Sequence, residues 1–240
     1  MGRIHRYRTA WSRHHRSHGF GIHSPFAFRF VLDVLRERNP YYAYEEIDLL
    51  RKAVVNAVGR HLKHPRVISF KSAKMLFRLV NYFNPQAILQ VGTSYGVSAA
   101  CMLAVNSRSR LWLYEPHLDH DPVTGRVLAP LAHRIDFLDH LVEATTLYRD
   151  KLADSQPPFV LINDLPGENS DYEAALAMAQ WAVDKSGVVV LRNISRKNIM
   201  KKLWLDVKGY ATYGQTFTND KLAILVANPK LQREDFLLWF

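Results

Sequence analysis

The sequence has a single cysteine, Cys101, in 240 residues. An intrachain disulfide is therefore excluded, and this cysteine usage predicts a reducing, cytoplasmic location. Long apolar runs are also lacking, since none approaches the roughly 18 residues that a membrane-spanning helix requires. The N-terminal region is rich in arginine and histidine and has no apolar core of a signal peptide, which again favours the cytoplasm.

Acidic residues are absent before Asp33, although six arginines lie there, and the whole chain has a net charge of +10. The basic arm, residues 1–22, favours binding to nucleic acid, an anionic membrane or an acidic partner. Tyr7, Trp11 and Phe20 are interleaved with these charges and could stack on bases. The alternative is a solvated basic tail that packs loosely on the protein.

A helical segment, residues 23–84, is predicted to follow the arm and to pack on a Rossmann-like domain at 85–240. Ser24 suits an N-cap and Pro25 suits the first helical position. Apolar residues recur at helical spacing, and Ser72 is predicted to cap the last helix before the first strand. The three helices are predicted at 25–37, 45–62 and 72–83.

A glycine turn follows the first predicted strand. The apolar run from Ala87 to Val91 breaks at Gly92, and Gly96 precedes a helical run that continues to Ala104. Glycine permits positive φ and lets the backbone approach a ligand, and the helix N-terminus adds free N–H groups and the positive end of its dipole. The turn therefore predicts a cradle for a small polar ligand, although a βα corner without a ligand has the same pattern. Hydroxyl groups are available from Thr93, Ser94 and Ser98.

A carboxylate ends the second predicted strand. The run from Leu111 to Glu115 places that acid 23 residues after Gly92. In a nucleotide-binding βαβ unit, an acidic residue about 20 residues on accepts the ribose hydroxyls. On its own, Glu115 is more typical of a solvated strand end. Strand, glycine turn, helix, strand and acid together predict a cofactor that contains ribose.

Strands and helices alternate through the rest of the chain, which predicts an α/β protein with a mostly parallel sheet covered on both faces. The last two strands are joined by a short turn at Asn219-Asp220, and such a turn requires an antiparallel hairpin. The prediction is therefore a seven-stranded sheet with a C-terminal hairpin. The strands are predicted at 87–91, 111–115, 134–137, 159–163, 188–191, 211–217 and 222–227. The helices among them are predicted at 97–106, 123–132, 139–152, 171–183 and 195–207.

This chain resembles class I S-adenosylmethionine-dependent methyltransferases of the O-methyltransferase-like kind, whose topology is five βα units followed by a hairpin. More narrowly, it is similar to bacterial proteins of the Bacteroidetes type. These carry a His-Gly-x-Gly-x-His-Ser-Pro-Phe segment, here His18 to Phe26, and an Ile-Gly-Thr-Ser-x-Gly turn, here Val91 to Gly96. The resemblance covers nearly the whole chain and implies a Rossmann-like fold, S-adenosylmethionine as cofactor and methyl transfer as the activity.

The resemblance also implies roles for the cofactor-binding residues. Gln90 meets the methionine part of the cofactor, and Glu115 takes the ribose hydroxyls. Asn163 lies at the carboxyl end of the fourth strand, where ligands of open α/β sheets bind. The residues that line the cofactor by backbone approach are Gly92, Thr93, Ser94 and Gly96.

The acidic positions of the resembled family are changed in this chain. The first strand ends at Gln90 instead of a glutamate, the fourth at Asn163 with Asp164 one residue later, and the fifth at Arg192. A hard metal cation needs clustered carboxylates, so no catalytic metal is expected. Asp164 is the best candidate for a base, and Asn163 lies beside it. Arg192 either recognises an anionic group of the substrate or is a surface strand end.

The predicted function is metal-independent methyl transfer to an unidentified small-molecule or protein acceptor. Two alternatives stay open. The basic arm could guide a nucleic-acid methyltransferase, although no known RNA-binding module is present. The replaced acids also fit a catalytically inactive member that keeps the fold as a binding or scaffold protein. A homodimer is compatible with each of these functions.

Overall fold

The computed structural model of this chain describes residues 13–59, 67–115, 121–152, 156–165, 169–195 and 198–240. The first twelve residues of the predicted basic arm, which include Tyr7 and Trp11, therefore lie outside the described residues. The described part of the arm begins with a helical segment at residues 13–17. Among the described helices, none is both long enough and apolar enough to cross a membrane.

The described residues form one eight-stranded sheet with the strand order β3-β2-β1-β4-β5-β7-β6-β8. Strand β7 is antiparallel to both of its neighbours, β5 and β6, and the other neighbouring strands are parallel. The predicted α/β class, the mostly parallel sheet and the C-terminal hairpin are confirmed. The strands are β1 Ala87–Val91, β2 Arg110–Tyr114, β3 Ile135–Leu138, β4 Phe159–Ile162, β5 Val188–Arg192, β6 Gln215–Thr218, β7 Leu222–Val226 and β8 Glu234–Leu237.

The eighth strand, β8, was not predicted. It pairs in parallel with β6 at the edge of the sheet. Its sequence gives a weak strand signal, because Phe236 is its one buried residue and Glu234 and Asp235 precede it. Phe236 stacks on Phe217 of β6 with 5.1 Å between the ring centroids, and this contact holds the strand in place.

Helices cover both faces of the sheet, as a mostly parallel sheet requires. Successive strand residues alternate between two apolar layers: Ile88 belongs to one layer and Leu89 to the other. The first layer includes Phe30, Phe77 and Met102 from the helices before and after β1. The helices are α1 Pro25–Phe30, α2 Ala43–Gly59, α3 Phe70–Phe83, α4 Val97–Leu103, α5 Pro122–Leu128, α6 Leu141–Lys151, α7 Asn169–Asp184 and α8 Asn198–Tyr210.

Two of the predicted helix starts can be compared with the structure. Ser24 caps α1 as predicted, because its hydroxyl oxygen accepts a hydrogen bond from the N–H of Ala27 at 3.2 Å. The predicted cap of α3 was wrong: Ser69, not Ser72, is the N-cap, and the N–H of Ser72 donates to Ser69 Oγ at 3.2 Å. The serine three residues earlier is better placed because the helix begins at Phe70.

The end of α1 differs from a regular helix. Residues Val31–Leu35 form a π-helical turn, and the buried guanidinium of Arg78 on α3 faces its carbonyl oxygens. Arg78 donates to the carbonyls of Val34 at 2.7 Å, Glu37 at 3.2 Å and Leu35 at 3.3 Å. These carbonyls have no partners further along a helix, so the arginine replaces the missing donors.

The N-terminal segment is joined to the C-terminal end of the chain. Arg13 binds Asp220 of the β6–β7 turn with atoms 2.6 Å apart, and the buried Ser17 Oγ accepts from the N–H of Trp239 at 2.7 Å. The ring of His14 packs edge-on against that of Trp239. The described part of the arm is therefore part of the packed structure.

Candidate functional site

The strand register brings the predicted site residues to one edge of the sheet. Val91 at the end of β1 is paired with Tyr114 of β2 and with Ile162 of β4. Ile162 is in turn paired with Leu191 of β5. The residues that follow these strand ends therefore share the carboxyl edge, where open α/β sheets bind ligands. They include Gly92, Glu115, Asn163 and Arg192.

The glycine turn has a left-handed backbone through most of its length. Gly92 has φ +73° and Gly96 has φ +79°, as the sequence predicted, but Ser94 and Tyr95 also have φ +54° and +60°. A non-glycine residue with positive φ is uncommon and is typical of functional sites. The sequence did not reveal these two positions, because nothing in a serine or a tyrosine requires such a backbone.

The two glycines differ in the space around them. A Cβ at Gly92 would lie 3.5 Å from the backbone nitrogen of Asp164, which is an ordinary van der Waals contact, so the positive φ alone favours glycine there. A Cβ at Gly96 would lie 2.7 Å from Cγ1 of Val127 on α5. A larger residue at Gly96 would therefore have to displace α5 as well as adopt a strained φ.

Glu115 is held against the glycine turn by Thr93. The backbone N–H of Thr93 donates to Glu115 Oε2 at 2.6 Å, and its hydroxyl donates to the same oxygen at 2.8 Å. The Thr93 hydroxyl oxygen also accepts from the N–H of Gly96 at 3.1 Å. The acid at the end of β2 is thus fixed beside the turn, as the pattern of turn and acid predicted.

The side-chain amides of Gln90 and Asn163 donate hydrogen bonds to the same two acceptors, the carbonyl of Gly92 and the hydroxyl of Ser98. Gln90 Nε2 donates to the carbonyl of Gly92 at 2.6 Å and to Ser98 Oγ at 2.9 Å. Asn163 Nδ2 donates to the same carbonyl and, at 3.1 Å, to the same hydroxyl. Ser98 was expected to offer its hydroxyl to a ligand, but it is fully buried and donates to the carbonyl of Thr93.

One polar atom of this network stands out. Gln90 Oε1 is buried and has no hydrogen-bond partner among the described residues. A buried acceptor without a donor costs about 1–3 kcal/mol, so a native site of this kind calls for an explanation. A ligand donor at the carboxyl end of β1 would supply the missing hydrogen bond.

Arg192 is joined to Asn163 across the ends of β4 and β5. One terminal nitrogen of Arg192 donates to Asn163 Oδ1 at 2.8 Å, and Asn193 Nδ2 donates to the Asn163 carbonyl at 2.9 Å. Asn193 also has positive φ, +59°. The half-buried Asp164 accepts the N–H of Leu165 at 2.9 Å through Oδ1. The structure therefore brings Asn163 and Arg192 together and places Asp164 next in the chain.

The positive charge of Arg192 also acts on Cys101 in α4. Burial raises the pKa of the Cys101 thiol from 9.0 to about 12, and the positive charge of Arg192 partly opposes this shift. Cys101 is a free thiol that is fully buried in α4. In the described parts of the chain, no group of three or more histidine, cysteine or acidic residues could hold a metal ion. The predicted absence of a catalytic metal stays a prediction.

Comparisons with known proteins agree with this fold. No protein-family model matches the sequence, and no curated protein sequence matches it. Solved structures do match. A methyltransferase from Geobacter sulfurreducens has a TM-score of 0.56 at 15% identity, over 81% of this chain and 94% of its own. An O-methyltransferase from Bacillus cereus in complex with SAH has 0.52 at 16%, over 82% and 96%. Cofactor-bound Rv0187 from MTB has 0.51 at 19%, over 85% and 97%.

These likenesses define the class of fold. At identities below 20%, they show that this chain has the Rossmann-like fold of solved methyltransferases over more than four fifths of its length. They do not determine the function of the site, because one fold hosts many functions.

Proposed function

We propose that this chain is an S-adenosylmethionine-dependent methyltransferase that acts without a metal ion on a small-molecule or protein acceptor still to be identified. The observation that carries the proposal is the double hydrogen bond from Thr93 to Glu115. It holds the acid after β2 beside the glycine turn, and a site for a ribose-containing cofactor needs these two parts together.

The residues at the site fit this cofactor. Glu115 would hold the ribose hydroxyls, and the backbone of the glycine turn would line the cofactor at Gly92, Thr93, Ser94 and Gly96. The buried Gln90 Oε1 would accept a hydrogen bond from the ammonium group of the methionine part, which explains why this acceptor has no partner among the described residues. Asn163 keeps the loop after β4 against Gly92 and so fixes the wall of the site.

When bound, S-adenosylmethionine supplies a methyl group on a sulfonium that is already a good leaving group. The residues of the chain then have to position the acceptor and remove its proton. Asp164 is assigned as the base, because it is the acid that follows β4 at the carboxyl edge. Arg192, which Asn163 holds in place, is assigned to an anionic group of the acceptor. The proposal includes a cytoplasmic location, because the single cysteine, Cys101, is a free buried thiol.

A catalytically inactive protein with this fold is the second candidate. The observation that favours it is that Asn163 uses its amide on Gly92, Ser98 and Arg192, where the resembled family has a carboxylate. Such a network stabilises the strand ends with or without chemistry. A nucleic-acid acceptor reached through the basic arm is the further alternative that the sequence left open.

Calorimetric titration of the full chain with S-adenosylmethionine and S-adenosylhomocysteine tests the proposal. We expect micromolar binding of both, and Glu115→Gln should weaken it about tenfold or more, because a charged hydrogen bond contributes about 1.5–3 kcal/mol. Glu173→Gln is the matched control, since Glu173 is an exposed carboxylate on α7. Glu115→Ala, which also removes the acceptor of Thr93, should abolish binding.

The outcomes separate the candidates. Binding that Glu115→Gln weakens and Glu173→Gln leaves unchanged supports the cofactor site and justifies a search for the acceptor. An absence of heat at millimolar concentrations of both ligands would contradict the proposal and leave the inactive binding protein as the better reading.

A further inference from the structure

A group of cationic side chains lies beside the candidate site on the same edge of the sheet. We call Arg36, Lys71, Arg78 and Lys221 the cation cluster. Lys221 directly precedes Leu222, which is the register partner of Arg192, so it stands at the carboxyl edge next to the proposed acceptor side. No sequence pattern predicts this group, because its members come from three separate parts of the chain.

Arg36 and Lys221 are joined by one short segment. Arg13 binds Asp220, the neighbour of Lys221, with both guanidinium nitrogens at 2.6 and 3.3 Å from the carboxylate. Five residues later, His18 Nδ1 lies 3.3 Å from a terminal nitrogen of Arg36. Since residues 13–17 are helical, the contact made by Arg13 and the contact made by His18 are separated by little more than one helical turn.

Lys71 and Arg78 approach the same place from α3. They are seven residues apart and therefore lie on one face of the helix, about 10 Å apart along its axis. Arg78 is fixed on the carbonyls of the turn that Arg36 follows. Lys71 is exposed in the first turn of α3, and the other end of α3 leads to the start of β1, so this first turn points towards the carboxyl edge.

The nearby carboxylates are already engaged. Asp220 is bound by Arg13, and Glu37 Oε1 accepts the N–H of Asn39 at 2.6 Å. Although Lys71 is exposed as a whole, partial desolvation of its ammonium group is the largest cause that lowers its pKa, and the charges that add to it are the positive ones of Arg78, Lys221 and Arg36. The cluster therefore keeps a net positive charge among the described residues, at a cost in mutual repulsion.

We propose that Arg36, Lys71 and Lys221 form a binding site for a phosphate-bearing anion, with Arg78 fixing the geometry of Arg36 from below. A monocarboxylate would neutralise one of these charges, whereas a phosphate or diphosphate carries several charges and enough acceptor oxygens for guanidinium and ammonium donors together. This site goes beyond the proposed function and does not depend on it.

The phosphate can come from a small phosphate ester or from the backbone of a single-stranded nucleic acid, and the experiment separates these sources. Inorganic pyrophosphate and a short single-stranded oligoribonucleotide are titrated into the full chain, in the absence of S-adenosylmethionine, at low and at physiological salt. The variants are Lys71→Gln, Lys221→Gln and the double substitution. Lys230→Gln is the matched control, because Lys230 is exposed and follows β7 at the opposite, amino edge of the sheet.

We expect the double variant to weaken pyrophosphate binding about tenfold or more, and Lys230→Gln to leave it unchanged. If the oligoribonucleotide binds far more tightly than pyrophosphate, its dependence on salt should lose a slope of about 0.7 for each lysine removed, and the backbone of a nucleic acid is then the source. Comparable affinities for the two probes assign the site to a small phosphate ester.

Two results would overturn the site. One is an absence of pyrophosphate binding by the wild-type chain at low salt. The other is an equal loss of affinity for pyrophosphate in Lys230→Gln, because the effect would then follow from net charge alone. Protection of wild-type lysines from acetylation gives a readout without substitutions. Pyrophosphate should protect Lys71 and Lys221 and leave Lys230 reactive. Because no cofactor is added, these results stand apart from those of the cofactor titration.

Discussion

Cys101 shows at the scale of one residue how burial and the candidate site are connected. Its side chain is wholly buried in α4, the helix that begins at the glycine turn. Burial raises the pKa of the thiol, while Arg192 at the end of β5 acts in the opposite direction. The neutral thiol is therefore the form that the folded protein favours, and a titration of stability should reveal it.

The first prediction concerns Cys101→Ala and alkaline pH. A pKa of about 12 in the folded state, above the ordinary 9.0, means that the stabilising effect of the neutral thiol is fully present below about pH 9. It is lost as pH rises from there through about 12. The difference in unfolding free energy between wild type and Cys101→Ala should therefore shrink above about pH 9, by up to about 1.4 kcal/mol per pH unit.

Urea unfolding of both proteins at about pH 8 and about pH 10.5 measures this difference. The tyrosines are the same in both proteins and cancel in the comparison. A constant difference between the two pH values would show that the thiol is not shielded as the structure has it.

Arg78 shows at the scale of the element how a side chain completes a helix. The π-helical turn after α1 ends with carbonyl oxygens that a single guanidinium covers, and this arginine is itself on the neighbouring helix α3. The contact therefore fixes the end of α1 and the packing of α1 on α3 at the same time. Replacing the arginine should weaken both.

We expect Arg78→Met to lower the free energy of unfolding by about 2–4 kcal/mol, because methionine keeps the apolar stem but leaves the buried carbonyls of Val34 and Leu35, and the half-buried carbonyl of Glu37, without this donor. Urea unfolding measures the loss. Arg108→Met is the matched control, since Arg108 is exposed on the loop after α4. A loss below about 1 kcal/mol in Arg78→Met would mean that water replaces the guanidinium at these carbonyls.

Much of the element order could be predicted from local patterns. Strands β1 and β5 are buried apolar runs apart from Gln90 in β1 and the half-buried Arg192 at the end of β5, and the glycine turn and the Asn84-Pro85 stop have local signatures. What could not be predicted depends on distant residues. Strand β8 is polar and is held by the contact of Phe236 with Phe217, and the turn that Arg78 covers needs a donor from another helix.

The candidate site divides in the same way. Gly92, Gly96 and Glu115 could be found by spacing alone, since each has a conventional position in a nucleotide-binding unit. The burial of Ser98 could not, because it depends on amide groups from two different strand ends. The roles assigned to these residues, and the division of the chain at residues 22 and 84, stay predictions.

At the scale of the whole molecule, the two ends of the described chain pack together. Ser17 is buried, donates its hydroxyl to the carbonyl of Arg13 at 2.6 Å and accepts from the N–H of Trp239. The segment that contains it also binds Asp220 and contacts Arg36. The position of the first described residues thus depends on the last strands of the sheet and on Asp220 and Trp239, which these strands hold in place.

Ser17→Ala should release this segment. Without the hydroxyl, the carbonyl of Arg13 loses its donor and the N–H of Trp239 loses its acceptor. We expect the free energy of unfolding to fall by about 1–2 kcal/mol and tryptic cleavage after Arg13 and Arg16 to become faster. Limited proteolysis followed by mass spectrometry measures the rate at each site. Ser107→Ala, at an exposed serine, is the matched control. Equal cleavage of wild type and Ser17→Ala would contradict the role given to this hydroxyl.

The contact between Ser17 and Trp239 has a consequence for the order in which the protein assembles on the ribosome. The two residues are 222 positions apart, and Arg13 and Asp220 are 207 apart. The segment at 13–18 is therefore synthesised well before its binding partners, Asp220 and Trp239. During synthesis the segment must therefore stay without these partners until β6, β7 and β8 have emerged, and the cation cluster reaches its final geometry only after they have folded.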